Sequence, residues 1–172
     1  ISELYKEIKI AGLRLNRQVE NLLSMSRLES GTLKPKLDWC DVNELIFSVI
    51  HDNQEDSKEH RIHFEPNENF PLFKTDRVFI EQIIHNIIYN ALRHTPKNSL
   101  IKIEVENIGE YCQITISDNG FGFPEKEIAS VFDKFYRLSN TSTGGIGLGL
   151  SIAKGYTEAL NGKIYLENVK SG

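Results

Sequence analysis

Apolar residues set the first element. Ile1, Ile8, Leu15 and Leu22 recur every seven residues, and Leu4, Ala11, Gln18 and Met25 form a second seven-spaced row between them. That 3–4 alternation predicts a long helix with a coiled-coil or helix-bundle seam. Lys6, Arg14, Arg17, Glu20 and Arg27 fill outer positions. Gly31 supplies a C-cap and Pro35 prevents the helix from resuming. A helix with such a stripe must bury it. The pattern favours pairing with other helices; the plainer alternative is packing on its own domain.

From about Leu33 the pattern changes. Asp41-Val-Asn-Glu44 is a capping box, followed by the helical stripe Leu45, Ile46, Val49, Ile50. Residues 61–65 alternate as a strand, and residues 67–71 form a polar turn. Asp76 caps a long helix to about His94, which Thr95-Pro96 stops. Ile101, Ile103 and Val105 alternate with charged residues, and Cys112, Ile114 and Ile116 alternate with polar ones. These runs predict two antiparallel strands joined at Gly109-Glu110. Helical periodicity returns from Leu148 to Leu160, ends at Asn161-Gly162, and leads into a predicted strand at residues 163–169. The expectation is an α+β fold, a two-layer α/β sandwich with helices on one face of a mixed, mainly antiparallel sheet. The long helix precedes it, which divides the chain into residues 1–31 and 32–172.

The long helix of residues 77–94 carries polar residues where propensity does not ask for them. At about 100° per residue, Asn86, Asn90 and Arg93 share one narrow stripe that Gln82 extends. Ile80, Ile83, Ile84, Ile87, Ile88 and Ala91 take the opposite arc. Asparagine is a poor helix former. Its carboxamide offers an oxygen to a hard cation and NH₂ donors to phosphate. Arg93 offers a permanently charged fork. A solvated helix face is the alternative.

Two glycine loops change that balance. "DNGFGF" at residues 118–123 begins with an acid where a strand ends. The Asp118 carboxylate can accept a hydrogen bond from an exocyclic amine such as that of adenine, and Gly120 and Gly122 let the backbone approach a flat ring. A plain Asp-Asn-Gly turn is the alternative. In "GIGLG", Gly145, Gly147 and Gly149 alternate just before a helix, and their amides can form an anion nest. The run is neither a dinucleotide fingerprint nor a Walker loop. One loop could hold a base and the other its phosphates.

Composition narrows the partners. The chain has 172 residues, 40% hydrophobic and 26% charged, with a formal net charge of −4. That supports a real core. No basic block appears, so nucleic acid is not an expected partner. No apolar run approaches the roughly 20 residues that span a bilayer, so no membrane contact is expected from this piece. Cys40 and Cys112 lie far apart without metal-type spacing, which suits a reducing, cytoplasmic setting. The absence of an initial Met makes the chain look like a piece of a longer protein.

The order of motifs across residues 37–169 resembles the ATP-binding domain of sensor histidine kinases, of the GHKL ATPase class. "HNIIYNALRHTP" resembles their asparagine box, "DNGFGF" the first glycine box, "FDKFYRL" the phenylalanine box and "GGIGLGLSIAKG" the second glycine box. "LNRQVENLLSMSRLESG" is similar to the second helix of their dimerisation and phosphotransfer hairpin, and "LKPKLDW" to the potassium-responsive, Kdp-type members.

The resemblance implies ATP and Mg²⁺ as ligands. It makes Asn86 the principal Mg²⁺ ligand with Asn90 beside metal and phosphate, Arg93 a phosphate ligand, and His94 a neighbour of the nucleotide. Asp118 receives the adenine amine, with Gly120 and Gly122 under the base. Gly145, Gly147, Leu148 and Gly149 form the phosphate loop. Phe132 and Phe135 pack the base of a lid over residues 139–144, near the nucleotide-binding Lys134 and Arg137.

The implied reaction is phosphoryl transfer from ATP to a histidine on an upstream helix, then to an aspartate in a response-regulator receiver domain. The intact protein is expected to be a homodimer through the N-terminal helix, with this cytoplasmic part anchored to a bacterial membrane.

Several features depart from the family pattern. None of His51, His60, His63, His85 and His94 lies on the first helix, so this piece is expected to bind ATP without phosphorylating itself. The family's last strand is missing, and Phe123 stands where many members have Ile. Gln82 occupies the place where water-using relatives carry a Glu, which predicts slow hydrolysis. A serine protein kinase of the anti-sigma type and a non-catalytic nucleotide-binding module are the competing functions.

Overall fold

The structure is a computed structural model that describes residues 2–54, 57–138 and 146–169, with the side chains of helix 1 described from Leu4 onward apart from Lys6 and Ile10. Chain order is α1 (Ser2–Glu29), β1 (Asp38–Cys40), α2 (Val42–Asp52), β2 (Arg61–Phe64), β3 (Phe73–Thr75), α3 (Arg77–His94), β4 (Leu100–Ile108), β5 (Tyr111–Asp118), a 3₁₀ turn at Ile128–Ser130, and α4 (Gly149–Ala159).

Local chemistry starts the helices where the pattern predicts. Asp41 accepts from the amides of Asn43 at 2.9 Å and Glu44 at 3.3 Å, which caps α2. Asp76 caps α3 by accepting from Phe79 N at 3.1 Å, and its other oxygen accepts from Lys36 N at 2.6 Å. One buried carboxylate thus starts α3 and pins the segment that leaves α1.

The main sheet has the order β2-β4-β5. β4 and β5 run antiparallel, with Ile103 opposite Ile116 and Val105 opposite Ile114. β2 runs parallel to β4, with Ile62 opposite Ile101 and Phe64 opposite Ile103. The sheet is therefore mixed. Val42, Ile46 and Val49 of α2 and Ile84, Ile88, Ala91 and Leu92 of α3 bury their stripes against Ile101 and Ile103 of β4. A separate two-stranded piece pairs β1 with β3. Its strands are three residues long, too short for alternation to reveal them.

A second cluster joins α1, α3 and α4 through Met25, Phe79, Leu148, Ile152 and Tyr156. Gly155 of α4 makes room for α1, because a Cβ there would lie 2.8 Å from Leu28 Cδ1. Further up α1 the seam is open: Leu4, Ile8 and Leu15 are each more than 60% exposed. The helix thus does two things, packing its C-terminal end on its own domain and leaving its N-terminal stripe uncovered.

One predicted element does not form. Residues 163–169 are not a strand, because a strand is defined by its ladder and alternation alone supplies none. The segment is held by a side chain instead: Asn168 Nδ2 donates to Phe123 O at 2.7 Å, and Asn168 Oδ1 accepts from Phe123 N at 2.8 Å.

Candidate functional site

A cleft between α3 and the start of α4 gathers Asn86, Tyr89, Asn90, Arg93 and His94 from one wall. Residues 146–150 form the opposite wall, and Tyr136, Arg137, Leu138 and Phe123 close the side. Its volume is about 130 Å³. A larger, flatter depression of about 490 Å³ lies against α2, between Phe47, His51 and Arg77. Its described lining residues include neither glycines nor paired carboxamides, which makes the smaller cleft the candidate site.

Helix geometry sets the first wall. Asn86 is 6% exposed, and its Nδ2 donates to Gln82 O at 2.8 Å. A backbone carbonyl only accepts, so this bond fixes which end of the carboxamide is which. Oδ1 is thereby turned to the opposite wall, 3.5 Å from where a Cβ on Gly149 would sit. The mid-helix asparagine aims an oxygen at the first turn of α4.

Gly147 shapes that opposite wall. Its φ is +76°, and a Cβ would fall 2.4 Å from Tyr136 O. Both the left-handed backbone and the close approach require glycine. The segment carrying Tyr136 and Arg137 therefore lies directly on the glycine loop. α4 then begins at Gly149 without a side-chain cap, leaving its first amide donors for another acceptor. Leu148 is 1% exposed and belongs to the second core cluster. It can meet a ligand through its backbone alone.

The electrostatics favour an anion. Arg93 and Arg137 lie in the wall, and the described residues that line the cleft include no carboxylate. His94 is held below the ordinary imidazole value of 6.5, first by partial burial and then by the nearby Arg93 and Arg137 guanidiniums. Among the described residues, no group of three or more His, Cys, Asp and Glu could hold a metal. The Asn86 and Asn90 carboxamides offer the cleft oxygens of the kind that suits a hard cation.

The cleft brings together Asn86, Asn90, Arg93, His94, Arg137, Gly147, Leu148 and Gly149. Lys134 does not line it; its ammonium donates to Glu29 of α1 at 2.6 Å. Asp118, Gly120 and Gly122 do not line it either. The Asp118 carboxylate accepts from Gly120 N at 2.9 Å, and Gly120 packs beside Thr95 just past α3. Phe123 carries that loop to the cleft edge. Gly145 and the expected lid at 139–144 lie outside the described residues.

Sequence reasoning missed Tyr89, Tyr136 and Asn21. Tyr89 was findable, since it lies three residues from Asn86 and four from Arg93 on the same stripe. Asn21 carried only a faint signal, an asparagine in the middle of a long helix. Tyr136 is brought in by the fold of the loop.

Known proteins support the same assignment. Residues 75–172 match the family described as Histidine kinase-, DNA gyrase B-, and HSP90-like ATPase. The sensor histidine kinase WalK of Bacillus subtilis is 33% identical over 164 residues, covering 91% of this chain and 27% of that protein. The sensor protein KdpD of Clostridium acetobutylicum is 35% identical over 162 residues, covering 92% of this chain and 18% of that protein. The chain thus spans about a quarter or less of these relatives. Among solved structures, histidine kinase ThkA in complex with response regulator protein TrrA superposes with a TM-score of 0.74 at 26% identity, over 97% of this chain and 48% of that one. The cleft, the motif order and the family match together place this chain in the histidine kinase-, DNA gyrase B- and HSP90-like ATPase family.

Proposed function

We propose that the chain is the ATP-binding part of a sensor histidine kinase, comprising the second hairpin helix at 1–31 and the catalytic domain at 32–172. It binds Mg²⁺-ATP with the triphosphate between α3 and α4 and the base toward Asp118. The observation that carries this reading is the fixed Asn86 carboxamide, whose oxygen faces the uncapped start of α4 across a cleft flanked by Arg93 and Arg137.

The residues present fit the metal. Asn86 and Asn90 would hold Mg²⁺ jointly with phosphate oxygens, and the ion supplies charge neutralisation there. Arg93, Arg137 and the α4 amides bind and orient the phosphates. Residues 146–150 and Tyr136 restrict water. In the intact protein a histidine nitrogen attacks the γ-phosphorus. The bond to the β-phosphate oxygen breaks, and ADP leaves. An aspartate oxygen of a receiver domain then attacks the same phosphorus, breaking the P–N bond. The ThkA–TrrA complex supports a response regulator as partner, and we read the whole protein as anchored to a bacterial membrane. Among the described residues no helix is long and apolar enough to cross a membrane. The open seam of α1 supports a homodimer.

Transfer is favoured over hydrolysis by one further observation. The nearest acid on α3, Glu81, accepts from Arg77 Nε at 3.0 Å and is absent from the cleft wall. The neutral Gln82 cannot take a proton from water.

Calorimetric titration with a non-hydrolysable ATP analogue, with and without Mg²⁺, tests the binding. Asn86→Ala is expected to remove the Mg²⁺-dependent gain and weaken binding about tenfold or more. Asp118→Ala is expected to weaken adenosine binding as well. Rapid ATP turnover abolished in Glu81→Ala would overturn the transfer reading.

A further inference from the structure

The family match begins at residue 75, yet one residue of the cleft wall, Asn21, comes from α1. One turn earlier on the same helix, the Arg17 guanidinium lies 3.2 Å from the centre of the Tyr89 ring. Its Nη2 is 2.9 Å from His85 Nε2 and 3.1 Å from Nδ1, and donates to whichever ring nitrogen is unprotonated. Tyr89 is itself a cleft residue, and the Arg93 guanidinium lies 5.8 Å from the same ring centre. Tyr89 therefore gathers two guanidiniums, one from α1 and one from the phosphate-binding stripe of α3.

We propose that α1 forms part of the nucleotide site: Asn21 meets the bound phosphates, and Arg17, stacked on Tyr89, raises the positive potential around Arg93. Tyr89 is the positioning residue that joins the two arginines. This deepens the ATP reading and rests on it.

Two guanidiniums drawn to one ring repel each other, and a polyanion beside them relieves that repulsion. A cation on an aromatic face is attracted by the ring quadrupole, which keeps Arg17 oriented before any ligand arrives. Met25 and Leu148 share a core cluster, so the helix carrying Asn21 packs against the residue that follows Gly147. Nucleotide binding and docking of α1 are therefore linked, and each strengthens the other by the same factor.

The test is titration of the whole chain with Mg²⁺ and the non-hydrolysable ATP analogue, and separately with adenosine. Arg17→Met keeps the apolar stem and removes the charge. It is expected to weaken analogue binding about three- to tenfold while leaving adenosine unchanged. Asn21→Ala is expected to weaken the analogue in the same direction. Tyr89→Leu should match Arg17→Met, and combining the two should add little further loss. A general loss of fold would not spare adenosine. Hydrogen exchange over residues 15–25 should slow when analogue is added. If wild type binds and Arg17→Met and Asn21→Ala bind equally well, the role of α1 is overturned and the ATP reading stands. If wild type binds no analogue, both fall.

Discussion

At the residue scale, the cleft depends on a few atoms whose positions are forced. Gly147 and Gly149 illustrate how differently two glycines of one motif are constrained. An alanine at 147 meets Tyr136 O at 2.4 Å and carries a left-handed backbone, whereas at 149 the nearest atom is Asn86 Oδ1 at 3.5 Å. Gly147→Ala should push residues 135–137 off the loop and weaken nucleotide binding strongly. Gly149→Ala should leave the melting temperature unchanged or slightly raised, because alanine favours a helix by about 0.5–1 kcal/mol. Thermal melts paired with titration separate the two.

His94 gives a second residue-scale expectation. Its folded pKa lies below 6.5, so between the two values the unfolded chain binds more protons than the folded one. Stability is full above about pH 6.5 and declines as pH falls toward the folded pKa. His94→Gln should flatten that part of the curve in chemical denaturation run across pH 5–7.

At the scale of elements, the long helices are held at their ends by shared groups. Asp76 caps α3 and also holds Lys36 N. Asp76→Ala should cost about 2–4 kcal/mol, since a cap and a bond to a charged acceptor are lost together. Met25 is the buried contact of α1 with α4, and Leu28 fits the Gly155 notch. Met25→Ala should lower stability by about 2–4 kcal/mol. It should also raise hydrogen exchange in α1 ahead of the sheet, because the sheet core lies in the other cluster.

The ion pair between Lys134 and Glu29 adds little to this packing. Both partners are about half exposed, and such pairs contribute roughly 0–1 kcal/mol.

At the scale of the whole molecule, two cores divide the labour. The cluster of α2, α3 and β4 holds the scaffold, and the cluster of α1, α3 and α4 holds the cleft. The cleft lies along α3, which contributes to both clusters. The exposed row Leu4, Ile8 and Leu15 leaves a stripe suited to another helix. Ile8→Lys with Leu15→Lys should reduce self-association, read by sedimentation across a concentration series, with little change in nucleotide affinity. Equal association of variant and parent would remove the seam from the dimer proposal.

The sequence alone determined whatever depends on neighbours along the chain. Asp41 and Asp76 mark helix starts because a carboxylate reaches amides two or three residues on. The stripe of Asn86, Asn90 and Arg93 is legible because helix period fixes a common face, and the β4–β5 hairpin because alternation marks one buried side. Tertiary structure decided what depends on distant partners. Residues 163–169 alternate like a strand but lack a ladder. Lys134 looks like a nucleotide residue but meets Glu29, which lies 105 positions away. Asn21 and Tyr136 reach the cleft only because α1 packs on α4 and the 136 segment rests on Gly147. Periodicity is a local property of the backbone, whereas a site is closed by long-range packing that no spacing encodes.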